Sequence, residues 1–319
     1  VAAFFVLANF GTICAEFAGI AAAGSLAGIP PYVSAPVGAA VVVALVLSAS
    51  FHRIEHILLA VSALLATYVF AVFLSGPDWG ATLHGLAVPT FPAERAGIIA
   101  VTATVGTTLA PWGLSFIQSY AVDKGVQREH WTSERVEVIV GSLLTGIIGI
   151  AIAVTCAAVL YPAGVEVNDA RDAALALEPL AGRYAAVLFG AGLLGAALLA
   201  AVIVPLATAY SVSEGVGRRS SLDDAASLDR FFYGVFVVLV VAGALLVSIP
   251  GVPLIPLIVV SQVVNAILLP PQMLLLLRLN RDSDLVGQHP ISTTSLVAGT
   301  VCVALVVASL VALAASSIG

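Results

Sequence analysis

The chain has 319 residues, of which 61% are hydrophobic and 9% charged, with a mean hydropathy of +1.11, whereas a soluble domain carries roughly 25% charged residues. Lipid is therefore the solvent for most of its surface, and the alternating polar and apolar pattern of a membrane β-barrel is absent. The net charge of −6 belongs to connecting segments and implies neither nucleic acid nor an acidic partner.

In chain order, hydropathy and punctuation predict helical spans over 1–28, 34–50, 54–75, 96–122, 136–160, 184–213, 231–250, 254–277 and 291–316. Val136–Leu160, Phe231–Ile249 and Ser292–Ala315 each exceed the ~18 largely apolar residues that a membrane crossing needs. The expected fold class is all-α integral membrane, with about nine transmembrane helices. Val1 opens inside an apolar helix with neither Met nor a basic leader, so the chain reads as the remainder of a longer one. Cys14, Cys156 and Cys302 lie inside apolar segments, too scattered for zinc and too few for a disulfide framework, and read as small buried hydrophobes.

Charge in the connections gives an independent check on that count. With a cytoplasmic N-terminus, the cytoplasmic connections hold Arg53, Lys124, Arg128, Arg135, Arg218, Arg219, Arg230, Arg278 and Arg281, nine of the 12 Lys and Arg residues. Arg95, Arg171 and Arg183 fall on the other side, as the positive-inside rule requires. The C-terminus is then outside, and the expected location is the plasma membrane. Two long outer connections follow: 76–95, with three prolines, and 162–183, whose Glu166, Asp169, Asp172 and Glu178 read as solvated surface.

Three places in the spans carry polar chemistry, and three charged pairs stand at span ends. Glu16 is the only acidic residue deep inside a span, and a carboxylate there faces an aqueous path or a partner; Gly11, Ala15, Ala18 and Gly19 around it favour close helix packing. In the fourth span, Pro111 removes a backbone donor and Gly106 and Gly113 relax its flanks, so the helix is expected to unwind at Ala110-Pro111-Trp112-Gly113. Unwound backbone at membrane depth persists only where it faces protein or a water-filled cavity, as at the ion sites of secondary transporters; the competing reading is a proline kink repaired by Thr107 and Thr108. Gln262 and Asn265 share a helix face three residues apart, either at a site or bonding helix to helix. Glu214 with Arg218, Glu134 with Arg135, and Asp123 with Lys124 read as pairs near the surface.

The strings around these residues resemble a known family. Ala100–Val126, with Thr108-Leu109-Ala110-Pro111-Trp112-Gly113-Leu114 and Ala121-Val122-Asp123-Lys124-Gly125, resembles the sixth helix of the NRAMP divalent-metal transporter superfamily, in its NRAMP-related magnesium-transporter branch. Asn9–Ala23 is similar to the third helix of that family and Ser261–Asp282 to its tenth, so the spans would be helices three to eleven. The resemblance implies a LeuT-like fold of two inverted five-helix repeats. Residues 1–80 would be the remainder of the first repeat, 96–277 the second, and 291–316 an additional helix, all in one transmembrane domain. It also implies a first helix supplying an aspartate and an asparagine to the metal; neither it nor the second helix is in this chain, which would then hold half a site.

Departures from the manganese and iron transporters sharpen the expectation. They carry Met-Pro-His at the break, where this chain has Ala110, Pro111 and Trp112; losing the soft thioether removes a preference for transition metals over oxygen-seeking Mg²⁺. Mg²⁺ keeps several of its waters, and small residues at Ala110 and Gly113 leave room for them. The metal-contacting set is Ala110, Gly113, Thr107, Gln262 and Glu16, with Pro111, Trp112, Thr108, Gln118 and Asn265 lining the site. Family positions for proton-relaying groups fall on Trp112, Ile117 and Ile13, which leaves Glu16 alone among relay-capable residues. The expected function is uptake of hydrated Mg²⁺, and also Mn²⁺, without proton coupling, the metal being cargo and no cofactor being needed. Proton-coupled Mn²⁺/Fe²⁺ transport, an organic-substrate transporter, and a non-transporting scaffold or receptor are the alternatives. His52, His56, His84, His130 and His289 lie in or beside loops and no catalytic constellation falls at membrane depth, so an enzyme is not expected. The partners expected are a divalent metal ion and the lipid bilayer; the sequence leaves the oligomeric state open.

Overall fold

A computed structural model describes residues 2–47, 56, 60, 63–88, 90, 94–123, 125–218, 230–286 and 291–316. Arg53, Lys124, Arg219, His52, His289 and parts of the second and third expected spans lie outside these residues. The described residues are helical, with no strand. The principal helices are α1 (Ala2–Leu26), α2 (Pro31–Leu47), α3 (Thr67–Leu74), α4 (Trp79–Ala87), α5 (Arg95–Thr108), α6 (Pro111–Asp123), α7 (Trp131–Val159), α8 (Ala185–Gly215), α9 (Arg230–Val247), α10 (Leu254–Leu279) and α11 (Thr293–Ala315).

Seven helical stretches among the described residues are long and apolar enough to cross a membrane, and each overlaps an expected span. The other two expected spans correspond to shorter apolar helices, Pro31–Leu47 and Ala63–Leu74. The helix expected to begin at residue 34 starts at Pro31, because proline is well suited to a first helical turn, where its missing N–H has no partner to lose. Helix α4 lies within a connection whose prolines had suggested only loop. Asp78 starts it by accepting the Ala81 amide at 3.0 Å, the ordinary role of an N-cap carboxylate.

Helix α1 is the centre of the bundle, packed against α8, α10, α2 and α9. In lipid, no water is released when apolar helices meet, so close packing and small residues must hold them together. Glycines supply the approach. A Cβ added at Gly19 would lie 3.1 Å from Ala197 Cβ on α8, one at Gly11 3.7 Å from Ser261 Cβ on α10, and one at Gly243 of α9 2.8 Å from Ile13 Cγ2. Between these contacts Ile13, Phe17, Tyr210, Phe232 and Phe236 form a buried cluster, with the Tyr210 and Phe232 rings edge-on at 4.9 Å, a favoured aromatic geometry. A second cluster joins Tyr68, Ala71 and Val72 of α3 to Ala151 of α7 and Leu177. Outside it, Val136, Ile139, Val140, Leu143 and Ile147 of α7 are exposed, as suits a surface facing hydrocarbon.

The segments after α1, after α7 and before α10 meet at one end of the bundle. They line a cavity of about 320 Å³ formed by Ser25, Leu26, Asn168, Asp169, Arg171 and Leu254 among others, which puts these connections on one side, as the alternation of spans requires. Acidic residues there serve local structure. Asp169 accepts the Arg171 and Asp172 amides at 2.7 and 3.0 Å, and Asp172 in return accepts the Asp169 amide at 3.2 Å, a reciprocal capping arrangement.

Replacing Gly243 with Leu should overpack the α1–α9 contact and cost about 1–3 kcal/mol. The check is a thermal unfolding midpoint in detergent, read beside Gly234→Leu, a position where nothing lies within 4 Å of an added Cβ; equal midpoints would contradict the packing argument.

Candidate metal site at the broken helix

Two residues interrupt the fourth expected span. Helix α5 ends at Thr108, Leu109 leaves helical geometry at φ −119° and ψ 61°, Ala110 is unwound, and Pro111 is the first residue of α6. Proline thus acts here as a helix starter and not as a kink within one continuous helix. Leu109 N–H still reaches the Val105 carbonyl at 3.4 Å, and the Ala110 carbonyl accepts the Gly113 and Leu114 amides at 3.1 and 3.4 Å. Among the described residues, the carbonyls of Gly106, Thr107 and Thr108 accept no backbone hydrogen bond. Each such group costs several kcal/mol in hydrocarbon unless water, protein or an ion meets it. Thr108 does not repair the gap, since its hydroxyl donates back to the Thr104 carbonyl at 2.7 Å.

Helix α10 braces both halves of the interrupted span. On the α5 side the brace is contact between backbones: a Cβ added at Gly106 would run into the Gln262 carbonyl and lie 2.8 Å from the Ala266 nitrogen. On the α6 side it is a side chain, with Gln272 Nε2 donating to the Pro111 carbonyl at 2.8 Å and to Ser115 Oγ at 2.9 Å. Gln272 was not among the residues the sequence singled out. Its signal was an amide set between Pro270-Pro271 and the apolar run Met273–Leu277.

The predicted pair on α10 is joined into a polar chain. Asn265 Nδ2 donates to Gln262 Oε1 at 3.1 Å and to Thr12 Oγ1 at 2.9 Å, while Gln262 Nε2 donates to Ser261 Oγ at 3.1 Å. Asn265 thus bonds helix to helix, and Gln262 places its backbone at Gly106 and its amide in the same chain. Helix α1 contributes Asn9, Thr12 and Glu16, three and then four residues apart and hence on one face. Asn9 is fully buried and donates to Thr208 Oγ1 of α8 at 2.9 Å. Among the described residues, the oxygens Asn9 Oδ1, Asn265 Oδ1 and Gln272 Oε1 are buried without a hydrogen-bond partner, which marks where a water or a cation would be met. Glu16 is half-buried and, among the described residues, makes no hydrogen bond or ion pair.

The remaining candidates lie around the break without joining this network. Thr107, Thr108 and Gln118 are exposed. An added Cβ at Gly113 meets nothing within 4 Å, so the first turn of α6 borders open space. Trp112 is half-buried against the central aromatic cluster, close to Phe116. Among the described residues, no three His, Cys, Asp or Glu side chains gather as a metal-binding group; the oxygens around the break are neutral carbonyls, amides and hydroxyls, with Glu16 the one carboxylate on the α1 face.

Residues 1–316 match the family described as Nramp, natural resistance-associated macrophage protein-like. The chain belongs to the Nramp family. Among curated Nramp relatives, the divalent metal cation transporter MntH of Caldanaerobacter subterraneus subsp. tengcongensis is 30% identical over 148 residues, 44% of this chain and 35% of that protein. MntH of Erwinia tasmaniensis is 31% identical over 146 residues, again 35% of its length. MntH of Burkholderia ambifaria is 26% identical over 311 residues, 94% of this chain and 68% of that one. The matched part therefore spans about a third of the first two relatives and about two thirds of the last.

Because the neighbour of Gly106 is backbone, which cannot swing aside, Gly106→Ala should separate α5 from α10 and destabilise the Nramp bundle by about 1–3 kcal/mol. Gly113→Ala, facing open space, should stay within about 1 kcal/mol of the unmodified chain. Thermal unfolding of both variants in one detergent tests the contrast, and a Gly106→Ala midpoint matching that of Gly113→Ala would refute the backbone contact.

Proposed function

We propose that this Nramp-family chain forms part of a transporter that takes up hydrated divalent cations, Mg²⁺ and also Mn²⁺, without coupling to protons. The reading rests on the break at Leu109–Ala110, where the carbonyls of Gly106, Thr107 and Thr108 lack backbone donors and Gly113 borders open space. Carbonyl and amide oxygens suit hard cations, and Mg²⁺ retains several waters that need room. The chain has a single methionine, Met273, buried in α10, so no thioether stands at the break to favour softer metals. In this reading the metal is cargo, held by unwound carbonyls near Ala110 and Thr107, by Gln262, and by Glu16 directly or through water. Gly113 stands with these metal contacts, and the residues lining the ion's path are Pro111, Trp112, Thr108, Gln118 and Asn265.

The side chains at the relay positions support the uncoupled reading. Ile13 is buried against Gly243, Ile117 is an exposed hydrocarbon, and Trp112 packs on the aromatic cluster; none exchanges a proton. Membrane potential alone supplies about 2.3 kcal/mol per charge per 100 mV, hence about 4.6 kcal/mol for a divalent ion moving inward at that potential. The helix order, with residues 96–277 as a second repeat after the remainder of a first in 1–80, is read as LeuT-like, lying in the plasma membrane with the N-terminus of this chain cytoplasmic and the C-terminus outside. Unpartnered Glu16 favours one competing reading, a proton-coupled Mn²⁺/Fe²⁺ transporter in which this carboxylate carries the proton.

Proteoliposomes holding the full-length protein and a lumenal pH dye separate the two. Mg²⁺ or Mn²⁺ uptake driven by an inside-negative potential should leave lumenal pH flat, and acidification in step with uptake would overturn the uncoupled reading. Glu16→Gln should raise the KM for metal severalfold and leave the flat pH trace unchanged. Gln262→Ala should raise KM about tenfold, the loss of roughly 1.4 kcal/mol expected of one good polar contact.

A further inference from the structure

Helix α10 touches the two halves of the interrupted span on opposite sides of its own weak point. Pro270 and Pro271 stand inside α10 and cannot donate to the carbonyls of Ala266 and Ile267, so the helix is least stiff there. Gly106 of α5 lies against Gln262 and Ala266, before the prolines; Pro111 and Ser115 of α6 are bonded by Gln272, just after them. From Gln262 to Gln272 is about 15 Å along a helix axis, so the braces straddle the double proline as they straddle the gap at Leu109–Ala110.

We propose that Gln272 is a positioning residue that fixes α6 to the C-terminal part of α10, so that the width of the gap in the broken helix follows the bend of α10 at Pro270–Pro271. Both donor hydrogens of the amide are used on α6, one on the Pro111 carbonyl and one on the Ser115 hydroxyl, while Gln272 Oε1 is buried without a partner among the described residues. An amide held so one-sidedly is oriented by what it donates to. Gln272 touches no ion in this scheme; it sets where the first turn of α6 begins, and through it where the unwound carbonyls sit. That consequence for the ion rests on the reading of the break as the ion site, whereas the attachment of α6 to α10 does not.

Gln272→Leu keeps the bulk of the side chain and removes both donated bonds. In nanodiscs, hydrogen–deuterium exchange of the full chain should speed at least tenfold at the amides of Trp112–Phe116, with α5 residues 98–106 unchanged. Exchange at Trp112–Phe116 within twofold of the unmodified protein would overturn the proposal. Ser115→Ala removes one bond and leaves the other, and should give a smaller rise, at least threefold; it carries the same decision if Gln272→Leu fails to fold. In metal uptake by folded protein, Gln272→Leu should raise KM at least fivefold and change the Mg²⁺ to Mn²⁺ preference, whereas a merely structural role would lower the amount of folded protein at constant KM. If the unmodified protein takes up no divalent ion, the functional reading fails while the exchange measurement still decides the role of Gln272.

Discussion

At the crossing of α5 and α10 there is no side chain between the helices: Gly106 meets the backbone at Gln262 and Ala266. Most of what is distinctive in this bundle depends on that closeness. It brings the last turn of α5, whose carbonyls have lost their donors, against a helix carrying its own polar residues, and so surrounds an unwound stretch with protein where hydrocarbon would not tolerate it. Glycines also bring α1 close to α8, where Gly19 lies against the Ala197 Cβ, and to α9, where Gly243 lies against the Ile13 side chain. The polar chain from Thr12 through Asn265 to Gln262 is possible only because α1 and α10 approach within reach at Gly11 and Ser261.

Closeness also explains the division of labour among polar groups. Asn9 and Asn265 each spend an amide nitrogen on a neighbouring helix and keep a buried oxygen unpaired. Their nitrogens hold the bundle together and their oxygens are left for whatever enters it. Glu16, on the same face of α1, is the one side chain there able to carry a full negative charge. In the proposed reading, a divalent ion entering there would meet one charge and many dipoles, which suits an ion that keeps part of its hydration shell.

The spans were legible in the sequence because twenty apolar residues in a row have few alternatives, and the break was legible because Pro111 is flanked by glycines. Its extent was not legible: the chain unwinds over Leu109 and Ala110 alone, and Pro111 begins α6, since a proline can either kink a helix or start one and only the surrounding hydrogen bonds decide. Thr107 reads as a metal contact and Thr108 as lining the site, with repair of a kink as the competing reading; that Thr108 turns back to Thr104 depends on a rotamer that spacing does not reveal. Asn9 and Gln272 were missed because a lone amide in an apolar run has no periodicity to give it away; its meaning lies in a partner 199 residues distant for Asn9 and 161 for Gln272. Helix α4 was hidden by prolines that flank it without interrupting it. The pairing of Gln262 with Asn265 could be read directly, because both lie on one helix.

The glycine contacts bear on how this protein responds to temperature. Association of helices inside lipid transfers little apolar surface out of water, and it is that transfer which gives soluble folds their large heat-capacity change and their loss of hydrophobic drive on cooling. Contacts such as Gly19 with Ala197 draw instead on dispersion and packing, which do not fade in the cold. The helix–helix part of the stability curve should accordingly be flatter than that of a water-soluble bundle of similar size.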